Sequence, residues 1–365
     1  MNLSQLQSIL ASEPSFRLKQ VEEAIYKNLI SDWDEAKNLP TNLREKLKES
    51  CPLTINAILK VSKNKLTAKA LIILEDGNKI ETVLMKHNPK ELNSFVGFDE
   101  DKSSRNAICV STQVGCPMGC KFCATGTLGL TRSLTQGEII EQVLFFARYL
   151  KKTDEKISNI TFMGMGEPFM NYDAVIGAIR KLNDKNTLNL GARRFSISTC
   201  GVIEGINRLA DENLEVNLAL SLHAPTDELR TKIMPSNQKY PLAKILEAMK
   251  NYYDKTHRKI MFEYIMLKDV NDQIEHAEEL AKILKGFNCM VNLIPYNLTY
   301  AKESAQEVTK TSPTTLVPLF DQTSHNQIHR FKEILDKNGI SAVQRFEFGQ
   351  DIDAACGQLA AKERN

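Results

Sequence analysis

From residue 105 onward the chain repeats one pattern: an apolar, β-rich run, a loop, then a helical run. The β-rich runs fall at 107–112, 157–163, 194–199, 215–222, 258–266 and 288–294. Between them lie segments with apolar residues at helical spacing, such as "LTQGEIIEQVLFFARYL" and "NDQIEHAEELAKILKGF". Strands separated by helices pair in parallel through crossover connections. Six such units in series therefore predict an α/β fold, a parallel sheet covered by helices and closed or partly closed like a barrel. A helix over 324–338 and a strand over 341–347 complete it.

The first hundred residues follow other rules. Leu18, Val21, Ile25 and Leu29 share one helical face, and "NLPTNLREKLKES" restarts a helix after Pro40. Residues 1–62 thus read as a helical accessory domain. In "LTAKALIILEDGNKIETVLMKH" two β-rich runs flank Asp76-Gly77-Asn78, a strong hairpin signal. This makes 63–102 a hairpin extension with Glu81 on its second strand, 103–347 the barrel and 348–365 a tail carrying Cys356. Residues 297–323 hold two prolines and no clear period, and a connection of that length is functional or mobile.

Composition bounds the setting. With 42% hydrophobic and 25% charged residues, the 365-residue chain is ordinary for a water-soluble protein. It has no apolar run near the roughly 20 residues that span a bilayer. The N-terminus lacks a signal-peptide core, so no membrane association and a cytoplasmic location are expected. A formal charge of +2 is too small to argue for nucleic acid by itself. Eight cysteines, unevenly spread, fit a reducing compartment where clustered thiols bind metal or do chemistry.

Three of those thiols, Cys116, Cys120 and Cys123, lie within "CPMGCKFC" just after the first barrel strand. A structural zinc ion would want a fourth ligand, yet no histidine occurs between His87 and His223. A thioredoxin-like pair of Cys120 and Cys123 leaves Cys116 unexplained. An iron-sulfur cluster held by three thiolates leaves one iron open to an external ligand. The position favours this third reading, because such folds place their chemistry at the C-terminal ends of the strands. The other strand ends are polar too. Gly166 and Glu167 follow the second, Ser198 ends the third, Ser221, Leu222 and His223 end the fourth, and Asn297 follows the sixth. Glycine lets bare backbone approach a ligand, and a carboxylate accepts hydrogen bonds from it. Phe169 stands where a dinucleotide fingerprint would need its third glycine.

The three-thiol cluster followed by "GMGEP" resembles the radical S-adenosylmethionine (SAM) enzymes. Together, "IETV", "CVSTQVGCPMGCKFCATG", "SLHAP" and "DIDAACGQLA" resemble the adenosine C2-methyltransferases of large-subunit ribosomal RNA and transfer RNA, with Cfr-type C8-methyltransferases as close relatives. The resemblance covers nearly the whole chain. It implies a partial (βα)6 TIM-like radical SAM barrel, a [4Fe-4S] cluster on Cys116, Cys120 and Cys123, and SAM on the open iron. Gly166, Glu167, Ser198, Ser221, Leu222, His223 and Asn297 match SAM-contacting positions. Cys356 matches the cysteine that is itself methylated, Cys109 the one that later forms a disulfide with it, and Glu81 the proton acceptor.

Carbon 2 of adenine is electrophilic, so direct transfer from a sulfonium finds no nucleophile there. The resemblance implies a detour: one SAM methylates Cys356, and a radical made from a second takes hydrogen from that S-methyl group. The carbon radical adds to the ring, and Cys109 with a base resolves the protein–RNA adduct. The implied substrates are an adenosine in the peptidyl-transferase region of 23S rRNA, free or in an assembling subunit, and an adenosine in a tRNA anticodon loop. A reductase supplies electrons, the protein is expected to be a monomer, and the N-terminal helices are expected to touch RNA.

Pro168 is as in the C2 enzymes, whereas "RFEFGQDIDAACGQL" and "FRLKQVEEAIYKNLI" stand nearer the C8 group, which confers resistance to ribosome-targeting antibiotics. C8 methylation is thus the same-class alternative, and a zinc-stabilised RNA-binding protein the alternative of another class. Leu298 replaces a proline common after Asn297, and the 297–323 segment is longer than usual for the family. Cys51, Cys200 and Cys289 carry no assigned role, although Cys200 stands where relatives often have serine.

Overall fold

A computed structural model describes residues 3–87, 105–302 and 316–361. The stretches 88–102 of the expected hairpin extension, 303–315 of the long connection and 362–365 of the tail lie outside the described residues.

The chain opens with helices α1 (Leu3–Leu10), α2 (Phe16–Glu22) and α3 (Thr41–Ser50). Between α2 and α3 a π-helical turn carries Ile25 and Tyr26 inward, and Trp33 is buried with its indole N–H donating to the Cys51 carbonyl at 2.8 Å. Of the expected apolar face, Val21 and Ile25 are fully buried while Leu18 is exposed.

Three antiparallel strands follow: β1 (Ala57–Val61), β2 (Thr67–Ile73) and β3 (Lys79–His87). The sequence reading places the hairpin of β2 and β3, but β1 falls within the segment it assigns to helices. Four of the five β1 residues are exposed, so the strand has no alternation to announce it. Its order comes from its ladder to β2.

Next come β4 (Arg105–Cys109), a small ribbon of β5 (Gln113–Gly115) and β6 (Leu130–Ser133), then α4 (Gln136–Lys151). The pattern continues with β7 (Asn159–Phe162), α5 (Tyr172–Asn183), β8 (Phe195–Thr199), α6 (Ile203–Ala210), β9 (Asn217–Ser221) and α7 (Asp227–Ile233). It ends with α8 (Leu242–Thr256), β10 (Ile260–Met266), α9 (Ile274–Leu284), β11 (Cys289–Pro295), β12 (Tyr300–Lys302), β13 (Leu316–Pro318), α10 (His325–Lys337) and β14 (Ala342–Gln344). Strands β4, β7, β8, β9, β10, β11 and β14 run parallel in that order, and β3 pairs antiparallel with β4. The hairpin extension and barrel thus share one ten-stranded sheet.

Helix starts match their sequence signals. Thr135 and Glu138 form a reciprocal capping box at α4, a device that contributes about 1 kcal/mol. The N-terminal helices are fastened to the barrel by cations from α4 and α5. Arg148 donates to the Leu53 carbonyl at 2.8 Å, Lys151 to the Asn28 carbonyl at 2.6 Å, and Lys181 pairs with Glu22. Among the described residues no helix is long and apolar enough to cross a membrane.

Candidate functional site

The parallel strands all end at one edge, and the loops beyond them enclose two adjoining cavities. The first is a cleft of about 850 Å³ including its open mouth. Its wall contains Cys116, Cys120 and Cys123, with Gly166, Ser198, Ser221 and His223 from the strand ends. The second, of about 670 Å³, is walled by Cys109, Val83, Asn297 and the tail residues 354–357. Cys356, Cys123, Met163 and Arg345 belong to both. Five of the seven strand-end positions, the three cysteines and a tail cysteine distant in sequence are therefore brought to adjoining cavities, whereas Glu167 and Leu222 line neither.

The cysteine loop is shaped by backbone hydrogen bonds. The Cys116 amide donates to the Gly129 carbonyl at 2.8 Å, and the Cys123 amide to the Cys120 carbonyl at 3.2 Å. Backbone amides also point at sulfur: that of Met118 at Cys116, and those of Gly126 and Thr125 at Cys123. Burial pushes both thiols upward, and those amides oppose it. Thiolates buried this way need cations beside them. This donor set fits an iron-sulfur cluster, whose sulfur ligands characteristically receive N–H hydrogen bonds. Among the described residues no three Cys, His, Asp or Glu side chains gather closely enough to ligate one metal ion.

Gly166 has φ +103°, and a Cβ there would lie 2.6 Å from the Gln113 side chain, so the bare backbone is required for this loop to close. The Gln113 carboxamide oxygen accepts from the Glu167 amide at 2.9 Å. Glu167 is buried, and its two oxygens accept from the amides of Phe169 at 3.1 Å and Cys200 at 2.7 Å. Its carboxylate thus already staples the β7 loop to the β8 loop. Burial raises its proton affinity and those amides partly offset it.

Ser198 and Ser221 hydroxyls stand 3.2 Å apart. His223 is buried at φ +59°, its Nδ1 accepts from the Ile265 amide at 3.0 Å, and its ring meets Phe122 edge-on at 4.9 Å. Burial, then the nearby Arg230 cation, hold its pKa down to about 3, so the ring is neutral with its proton on Nε2. The side chain of Leu222 is fully buried and its amide donates to the Glu263 carbonyl at 3.1 Å. Asn297 is turned to the tail, with its oxygen accepting from Gln350 at 3.1 Å and its nitrogen 3.4 Å from the Cys356 carbonyl.

The tail is docked onto the cysteine loop. The Ala124 amide donates to the Gly357 carbonyl at 2.7 Å and the Thr125 hydroxyl to the Leu359 carbonyl at 2.6 Å, which sets Cys356 beside Cys123. Glu81 fixes the far end. One oxygen pairs with Lys69 at 2.8 Å, and the other accepts from the amides of Ala360 at 2.7 Å and Ala361 at 3.0 Å. Lys69 also donates to the Asp353 carbonyl at 3.0 Å. Val83, two residues on from Glu81, reaches the second cavity, whereas Glu81 is not among the described residues that wall it. Cys109 is pushed up to about 12 by burial and by Cys356.

Four residues of the site carry no sequence signal. Arg230 lies in α7 and is fully buried, donating to the carbonyls of Cys200 at 2.7 Å, Ser221 at 3.1 Å and Leu222 at 3.1 Å. Arg345 has one nitrogen 3.6 Å from the Met163 sulfur and 4.0 Å from Glu263 Oε2. Its guanidinium is held above its ordinary value, first by Cys356 and also by Glu263 and Cys109. Glu263 is buried in the first cavity, and its Oε2 has no hydrogen-bond partner. Cys200 walls the same cavity with its sulfur 3.8 Å from that of Cys120. A lone Arg, Glu or Cys in an amphipathic run looks like surface or core, and here only the fold turns each inward.

Comparison with known proteins agrees with this geometry. Residues 110–282 match the radical SAM superfamily. The chain is 46% identical over 353 residues to a probable dual-specificity RNA methyltransferase RlmN of Geobacillus thermodenitrificans, covering 96% of this chain and 88% of the relative. It is 43% identical over 353 residues to the RlmN of Staphylococcus aureus strain RF122, with the same 96% and 88% coverage. A crystal structure of a radical SAM methyltransferase from Sphaerobacter thermophilus superposes with a TM-score of 0.85 at 40% identity, covering 99% of this chain and 98% of that one. A cysteine loop at the strand ends of a parallel barrel and full-length kinship both lead to one assignment: the chain belongs to the RlmN family of radical SAM RNA methyltransferases.

Proposed function

We propose that this enzyme methylates carbon 2 of an adenosine in the peptidyl-transferase region of 23S rRNA, and of an adenosine in a tRNA anticodon loop. The observation that carries the reading is that Cys109 and Cys356 wall one cavity, which opens past Cys356 into that of the three thiols. The term "dual-specificity" in the names of the relatives supports two RNA substrates.

In this reading Cys116, Cys120 and Cys123 hold the cluster, and Gly166, Ser198, Ser221 and His223 line the place of SAM with Glu167, Leu222 and Asn297 fixing its loops. When bound, the cluster and SAM supply a methyl group and a radical able to take hydrogen from a C–H bond. The Cys356 thiolate takes the methyl group, its thiol proton passing to solvent. Arg345 lines both cavities together with Cys356. After one hydrogen atom is removed, the methylene carbon of Cys356 bonds to carbon 2 of the base. The adduct carries one unpaired electron, which is given back to the bound cluster as a base, the role assigned to Glu81, accepts the ring proton. Cys109 then gives up its proton and attacks the Cys356 sulfur: an S–S bond forms, the S–C bond breaks, and its electron pair stays with carbon, which takes up a proton to complete the methyl group. An external reductase restores the two thiols and supplies the electrons.

Burial holds Cys109 as a thiol, which suits a group that acts last and must not compete for the methyl group. Exposed Phe16, with the Arg17 guanidinium 4.8 Å from its ring centre, gives the N-terminal helices a stacking surface of the kind that single-stranded RNA uses. We assign the N-terminal segment, residues 1–62, to RNA binding. The test is a pair of variants incubated with RNA, SAM and reductant. Cys109→Ala should accumulate protein covalently joined to RNA, and Cys356→Ala should form neither adduct nor product. Free methylated RNA from both variants at the normal rate would refute the assignment. Nuclear magnetic resonance of the product nucleoside decides between carbon 2 and carbon 8.

A further inference from the structure

We propose that Cys200 is a positioning residue that donates its S–H to the sulfur of Cys120 and so raises the reduction potential of the cluster. This rests on the reading of Cys116, Cys120 and Cys123 as the cluster ligands.

The argument starts from how the three sulfurs are satisfied. Cys116 receives the Met118 amide, and Cys123 those of Gly126 and Thr125. The donor that the fold places against Cys120 is a thiol instead, with the Cys200 and Cys120 sulfurs 3.8 Å apart. Either could donate as free thiols, but a Cys120 bound to iron carries no proton, so the hydrogen must come from Cys200.

Cys200 is held for this task from both sides. Its amide donates to the buried Glu167 carboxylate at 2.7 Å, and its carbonyl accepts from the buried Arg230 guanidinium at 2.7 Å. The loop that carries it therefore cannot withdraw the thiol without breaking two charge-assisted hydrogen bonds. A hydrogen bond to a ligand sulfur stabilises the reduced, more negative cluster more than the oxidised one, so the potential rises. Serine at this position keeps a donor, whereas alanine removes it.

The test is a redox titration followed by electron paramagnetic resonance, on enzyme reconstituted with iron and sulfide, without RNA or SAM. In Cys200→Ala the ratio of reduced to oxidised cluster at a fixed potential should fall by up to about tenfold, which is 59 mV for a one-electron couple. Cys200→Ser should lie nearer the parent. An unchanged potential in Cys200→Ala, or an equal shift in Cys200→Ser, would overturn the proposal while leaving the cluster assignment intact.

A second readout avoids dependence on the alanine variant. The infrared S–H band of Cys200, identified as the band lost in Cys200→Ser, should move when the cluster is removed by chelation. A band that stays in place would overturn the hydrogen bond. Failure of the parent chain to take up iron would instead refute the reading of the three cysteines, and the proposal with it.

Discussion

His223 links one side chain to acid stability. Its ordinary pKa is 6.5, and in the fold burial and Arg230 lower it to about 3. Above pH 6.5 the imidazole is neutral in both folded and unfolded chains, and its neutral burial costs nothing in protons. Below that the unfolded chain takes up a proton that the folded chain refuses, so stability is lost progressively until pH approaches 3. His223→Asn suits the left-handed backbone there, since asparagine tolerates positive φ. Denaturant titrations of the cluster-free protein between pH 7 and 4.5 should show a shallower fall for this variant, by up to about 1.4 kcal/mol per pH unit. Equal slopes would contradict the buried neutral ring. The site was legible at this scale where spacing carries meaning: Cys116, Cys120, Cys123 and the "SLHAP" run announce themselves. Cys200, Arg230, Glu263 and Arg345 do not, because their roles come from which way the fold turns them.

Among the elements, the β5–β6 ribbon has most influence on the site, since Cys116 follows it directly. Gly115 has φ +78°, and a Cβ there would lie 1.9 Å from the Gly129 carbonyl oxygen, the group that accepts the Cys116 amide. Gly129 also has positive φ, +69°, but a Cβ there would meet open space. Gly115→Ala should therefore cost more than about 2 kcal/mol and reduce the iron bound per chain, while Gly129→Ala pays backbone strain of about 1 kcal/mol and keeps its iron. Thermal melts and iron assays check this, and equal losses would contradict it. The six anticipated barrel strands appear within a few residues of their expected ends, because long apolar runs between helices have few other places to go. This ribbon was not anticipated: three- and four-residue strands with an irregular register between Val114 and Gly115 leave no periodic trace.

For the whole molecule, the ten-stranded sheet brings the hairpin, the barrel and the tail to one place. Residues 81 and 360 are joined by a hydrogen bond across a separation of 279 residues, a contact that no local pattern could foretell. Glu81 is therefore a tether for the tail that carries Cys356. In Glu81→Ala two tail amides lose their shared acceptor, and a protease should cut between residues 351 and 361 more readily. Methyl loading of Cys356 should also slow about tenfold, the effect of losing one or two hydrogen bonds to a charged group. A carboxylate that served only as the base would leave that first step unchanged. Timed digestion and mass analysis separate the two cases.

The central claim is that Cys356 carries the methyl group before RNA receives it. Peptide mass analysis of enzyme reconstituted anaerobically with iron, sulfide, SAM and reductant, without RNA, tests it most directly. One added methyl group on the Cys356 peptide, lost on addition of RNA and more reductant, is the predicted result. A Cys356 peptide that stays unmodified while the same preparation methylates RNA would contradict the account.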